Sequence, residues 1–65
     1  MTREERKTIR DVWDFMETQF EDKSTEFLLE VTAQESSRRL ERPIDCGDVA
    51  IALHERYVDE QKKKE

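Results

Sequence analysis

The sequence is poor in the residues that staple or punctuate small proteins. Its 65 residues include one Cys, one Pro and one Gly. A single thiol closes no internal disulfide, so a disulfide scaffold is excluded and a reducing compartment is expected. There is no Cys/His zinc spacing, no Asp-rich calcium loop and no Gly-rich phosphate loop. Neither a metal nor a cofactor is therefore expected. No apolar run approaches the roughly 20 residues of a membrane span, and the first residues carry no signal-like apolar core. These absences lead to the expectation of a cytoplasmic protein that engages no membrane.

What the chain does have is charge. Charged residues make up 45% and apolar ones 34%, with a net charge of −5. That balance leans toward disorder, but recurrent apolar spacing and the scarcity of Gly and Pro are helical traits. A chain this short buries only about 60% of the surface it exposes when unfolded, so residues 1–65 make one marginally stable domain. A second subunit or a bound partner is the natural additional stabiliser. The negative balance argues against a generic polyanion binder, because affinity for phosphate backbones comes largely from Lys and Arg.

The chain breaks itself at "EDKS" (21–24) and "ERPID" (41–45), and this predicts an all-α three-helix bundle with helices at about 3–21, 25–41 and 46–62. Thr2 and Glu5 have capping-box spacing at the first helix. Ile9, Val12, Trp13, Met16 and Phe20 then recur on one face. Phe15 falls beside that stripe, where it either widens the core or stands out as an aromatic anchor for a partner. The second helix should start at Ser24 or Thr25. Phe27, Leu28, Leu29 and Val31 cover most of its circumference, which predicts a central helix flanked on two sides. Ala33 and Ser36 further along would admit a close neighbour. Arg38, Arg39 and Arg42 gather at its C-terminal end, where cations suit the helix dipole.

The stretch "RPIDCGDVAIALHERY" (42–57) holds the sole Pro, Gly, Cys, His and Tyr, and most of it reads as a helix start. Pro43 ends the helix before it, Asp45 caps the next, and Asp48 meets the free N–H groups of the first turn. Ile44 and Val49 have hydrophobic-staple spacing. Cys46, Val49, Ala50, Leu53 and Tyr57 form the expected inward stripe, with Cys46 as a small core residue. Ile51 and Val58 lie more than about 100° from that stripe, with His54 between. A lone bundle has little surface to fold over them, so Ile51, His54 and Val58 are the expected partner-binding strip, with Phe15 as a second candidate.

Catalysis has no support in the pattern. Asp45 and Asp48 flank Cys46 and oppose a thiolate. His54 has only Ala50, Ile51, Tyr57 and Val58 at helical contact spacing, none of which would orient a base. The carboxylates of the first helix read as a solvated face, with Lys7 and Arg10 spaced to pair Asp11 and Asp14. As a DNA-reading helix the third segment would bring Asp48, Glu55, Asp59 and Glu60 toward phosphate, against Arg56 before its terminal lysines. Charge is also segmented: residues 11–35 contain eight acids and one lysine, a field that would steer a basic partner.

"RPIDCGDVAIAL" resembles the second loop and third-helix start of histone-fold proteins. Arg42, Ile44, Asp48, Val49, Ala52 and Leu53 match that pattern over twelve of the 65 residues. The resemblance implies an obligate dimer with basic loop residues such as Arg42 near DNA or a partner subunit. Such folds also need a central helix of about eight turns, which "EDKS" interrupts, and the register places Asp14, Thr18 and Glu21 at core positions.

The sequence therefore leads us to expect a small acidic, non-enzymatic protein–protein interaction module. It would act as a regulator, adaptor or inhibitor by binding a protein, and self-association into a homodimer is a further expectation. The alternative is a histone-like or other nucleic-acid-associated dimer using Arg38, Arg39 and Arg42.

Overall fold

The structure, a computed structural model, describes the backbone of residues 1–63 and the side chains of residues 1–54. Three helices follow one another: α1 (Arg3–Gln19), α2 (Thr25–Leu40) and α3 (Cys46–Lys63). Each packs against both of the others, as expected of a small three-helix bundle.

The helix starts are set by short polar side chains. Thr2 Oγ1 accepts from the Glu5 N–H at 3.1 Å, and Glu5 Oε1 accepts from the Thr2 N–H at 2.8 Å. This closes a capping box on α1. Ser24 caps α2 by accepting from the Phe27 N–H at 3.2 Å. At α3 the Asp48 N–H donates to Asp45 Oδ1 at 2.9 Å, and the Asp45 N–H donates to Asp48 Oδ2 at 3.3 Å. The carboxylate of Asp45 folds over this first turn so closely that a Cβ at Gly47 would sit 3.1 Å from its Oδ1.

The helix ends depart by one or two residues from expectation. α1 stops at Gln19, two residues short, because Phe20 leaves helical geometry at φ −129° and ψ 53°. Its ring then meets Phe27 edge-on, with centroids 5.2 Å apart. α2 stops at Leu40. Glu41 turns left-handed at φ 54°, and the Glu41 and Arg42 N–H groups both point to the Ser37 carbonyl. Glycine is the usual occupant of such a position; here a glutamate takes it, just before Pro43.

The core consists of Ile9, Ala33, Ile44, Val49 and Ala52, with Trp13, Leu29, Leu40 and Leu53 packed against it. Val12 and Leu28 are buried too. Ile44 and Val49 share this cluster, so the staple expected around the Asp45 cap is formed. That staple aims Val49 at the centre, and Ala52 and Leu53 follow within about 60° on either side, whereas Ala50 lies about 100° away. The inward stripe expected from sequence is therefore corrected at three positions. Cys46 and Ala50 are exposed, and Ala52 is a core residue. Tyr57, also expected there, lies outside the described residues.

α2 is flanked on two sides as expected, but so are α1 and α3, so it is not singled out as a central helix. Its wide apolar arc is absorbed differently. Leu28 is buried, Phe27 is half-buried against Phe20, and Val31 is half-buried in the groove beside α1. The small residues do admit a close neighbour: Thr32, Ala33 and Ser36 are all buried. The hydroxyls of Thr32 and Ser36 have no hydrogen-bond partner there, a desolvation cost accepted for tight packing.

Candidate interaction surfaces

The residues singled out for chemistry and binding are positioned by these helices in three places. The first is the outer face of α3. Ile51 is 56% exposed and His54, one turn on, is exposed beside it. Val58, the third member of the expected strip, lies outside the described residues. The second place is α1, where Phe15 is 52% exposed. Phe15 therefore does not widen the core. Neighbouring Asp11, Asp14, Thr18 and Gln19 are exposed as well, so the ring projects from a polar, acidic surface.

The third place is the arginine cluster, and its geometry was only partly visible in the sequence. Arg38 Nη2 and Nε reach the two oxygens of Glu35 at 2.7 and 3.0 Å, and Arg39 Nε reaches Glu35 Oε2 at 2.9 Å. Hydrogen bonds from Arg38, then Arg39, pull the Glu35 carboxyl from 4.5 down to about 2. The same contact raises the Arg38 guanidinium above its ordinary value. Arg42 turns the other way. Its Nε meets Glu5 Oε2 at 2.9 Å, joining the α2–α3 loop to the start of α1. Glu5 is held below the usual carboxylate range chiefly by the Thr2 N–H; desolvation opposes that lowering, and the nearby charge of Arg42 adds to it. All three arginines thus already answer a carboxylate of their own chain. They do not form one open basic patch.

Ser37 is the residue that pattern reading missed. Its Oγ accepts from the Ile44 N–H at 2.8 Å and lies 2.8 and 3.0 Å from the carbonyls of Ala33 and Ile44. One hydroxyl proton serves either carbonyl, and the oxygen takes the loop amide. The contact spans seven residues and has no helical or turn periodicity, so no spacing rule signals it. Glu35 was legible by contrast, standing three and four residues before Arg38 and Arg39.

Two grooves run between α1 and α2, and Phe20 lines both. One, of about 330 Å³, is lined by Glu17, Thr18, Phe20, Glu21 and Leu28. The other, of about 350 Å³, is lined by Met16, Phe20, Val31, Gln34, Glu35 and Arg38. Cys46 is exposed at the α3 N-terminus, so its expected place in the core is corrected. Among the described residues, no three of His, Cys, Asp or Glu are grouped to hold a metal, and no helix is long and apolar enough to cross a membrane. Compared with protein-family models, curated proteins and solved structures, the chain finds no match.

Proposed function

We propose that this chain is a small, non-enzymatic protein–protein interaction module, a regulator, adaptor or inhibitor that acts in the cytoplasm by occupying a partner's surface. The observation that carries this reading is the exposure of Phe15 and Ile51, each more than half accessible on a different helix. Scattered apolar residues are ordinary on protein surfaces. Here, however, a core of small and medium side chains leaves a Phe outside while burying hydroxyls of Thr32 and Ser36. Large aromatic and aliphatic side chains projecting from polar surroundings are the common anchors of interfaces. His54 completes the α3 surface beside Ile51.

The nucleic-acid alternative is less well supported. Arg38, Arg39 and Arg42 are committed to Glu35 and Glu5. The 16 residues of α2 make about four turns, half the central helix that the histone-fold resemblance calls for. Self-association through the same exposed residues remains part of the proposal.

The test is affinity capture and light scattering on the purified chain beside its Ile51→Ser and Phe15→Ser variants. We expect both variants to keep wild-type helicity, and at least one to lose a partner, or a dimer, that the wild type forms. Identical association by folded variants, or none by the wild type, contradicts the reading.

A further inference from the structure

We propose that the outer face of α3 pairs antiparallel with the same face of a second copy of this chain; this rests on the interaction-module reading above. The inference starts from where charge is missing. Among the described residues, most exposed positions of α1 and α2 hold Asp, Glu, Lys or Arg, such as Lys7, Asp11, Asp14, Glu30 and Arg38. On α3 the exposed residues up to position 54 are Cys46, Gly47, Ala50, Ile51 and His54, and none is of those four types. Ala50, His54, Gly47 and Ile51 share about 100° of arc, on the side away from Val49 and Ala52 in the core. The segregation runs through the whole sequence of the helix. Every Asp, Glu, Lys and Arg between positions 46 and 63 falls within about 160° of its circumference, and these four residues lie outside that arc.

Symmetry and charge decide the occupant. In a two-fold contact a surface meets itself, so a charge near the axis meets its own duplicate. The α3 face brings no Asp, Glu, Lys or Arg to such an axis. Elsewhere the net charge of −5 sets two copies against each other. Phe15 is the poorer centre, because Asp11 and Asp14 stand exposed beside it on α1 and would face their own duplicates. The ends of α3 fix the direction. The helix opens at Asp45 and Asp48, and its sequence closes on Lys62 and Lys63. Antiparallel pairing sets each acidic start beside a basic end, whereas parallel pairing sets like beside like. Full overlap of Cys46–Lys63 centres the two-fold axis next to His54, and Gly47 and Ala50 let the helices approach closely. A helix of a different protein would find apolar surface here without that matching of ends.

The experiment is sedimentation equilibrium of the wild-type chain from micromolar to millimolar concentration, joined to disulfide trapping. The expected result is a reversible dimer. Ile51→Lys puts a charge where the face meets its duplicate and should weaken that dimer at least about tenfold, at wild-type helicity. Phe15→Ser should leave it unchanged. Trapping reads the direction. His54→Cys in a Cys46→Ser background lies beside the axis and should cross-link at least about tenfold faster than the wild-type chain. In the antiparallel pair the native Cys46 stands about 25 Å from its counterpart along the helix axis. A chain monomeric at millimolar concentration overturns the inference, as does a dimer indifferent to Ile51→Lys. Faster cross-linking through Cys46 overturns it as well. If Ile51→Lys loses helicity, the trapping pair alone decides. A monomer that captures another protein through Ile51 overturns the inference and keeps the interaction-module reading. Failure of that reading is a separate result, since it requires that neither Phe15→Ser nor Ile51→Ser alter any association of the chain.

Discussion

The two connections of this bundle are built on different principles. The α2–α3 junction is held by polar groups aimed at backbone and by contacts distant in sequence. Ser37 takes the Ile44 amide, Asp45 and Asp48 cap each other's N–H groups, and Arg42 reaches back to Glu5. Ile44 itself is buried in the core. The α1–α2 turn is held by contacts among the residues that flank it. Phe20 meets Phe27 edge-on, Lys23 lies 5.8 Å from the centroid of the Phe27 ring, and Ser24 caps the helix that follows. The first arrangement fixes the angle between two helices. The second closes a reversal and leaves grooves and carboxylates to the solvent. One connection thus ties distant parts of the chain together, whereas the other is closed by the residues that flank it.

The largest effect should come from Ile44→Ala. Removing a buried aliphatic side chain costs about 2–5 kcal/mol, comparable to the whole stability of a domain this size; chemical denaturation should find little folded protein. Next comes Ser37→Ala, which leaves the Ile44 amide without its acceptor. It should lose about 1–3 kcal/mol, and amide exchange at Ile44 should quicken more than exchange in the α1–α2 turn. At the other connection, Phe27→Leu keeps an apolar side chain but removes the ring pair, and should lose only about 0.5–1.5 kcal/mol. If Phe27→Leu proved more damaging than Ser37→Ala, the contrast between the two connections would be reversed.

The smallest effect is electrostatic. Glu35 has its folded-state value lowered to about 2 from 4.5, so its contribution is present above about pH 4.5. It fades as pH falls toward 2, where the folded carboxylate also takes up a proton. Thermal unfolding of Glu35→Gln should therefore fall below wild type at pH 6 and converge on it near pH 2. Added salt should narrow the gap at pH 6, because the pair is open to solvent.

Much of this fold is legible in the sequence because helix termini are written in local chemistry. Thr2 with Glu5, Ser24, and Asp45 with Asp48 announce their caps within three or four residues, and the structure places each where that spacing puts it. Ile9 and Val12 follow from the helical repeat. The rotation of α3 was less legible. Cys46, Val49, Ala50 and Ala52 differ little in size or polarity, so periodicity alone does not choose which of them face inward. The Ile44–Val49 staple was legible and fixed Val49 inward, but which of Cys46, Ala50 and Ala52 join it depends on tertiary packing of α3 against the other two helices. Ser37 and the Glu5–Arg42 clasp were hidden for the same reason, since each joins positions with no shared repeat. Of the candidate surfaces, the exposure of Ile51 followed from its azimuth, whereas Phe15 lay at the edge of its stripe and only packing decides between its two roles.

The central claim is that Phe15 and Ile51 are surplus to the fold. Urea unfolding of the Phe15→Gln/Ile51→Gln double variant tests it most directly, because Gln is a good helix former and changes little but the apolar surface. Surface substitutions of this kind stay within about 0.5 kcal/mol each, so the account predicts a stability within about 1 kcal/mol of wild type and an unchanged denaturant slope. A loss beyond about 3 kcal/mol, or a chain that no longer unfolds cooperatively, would make these residues part of the core and contradict it.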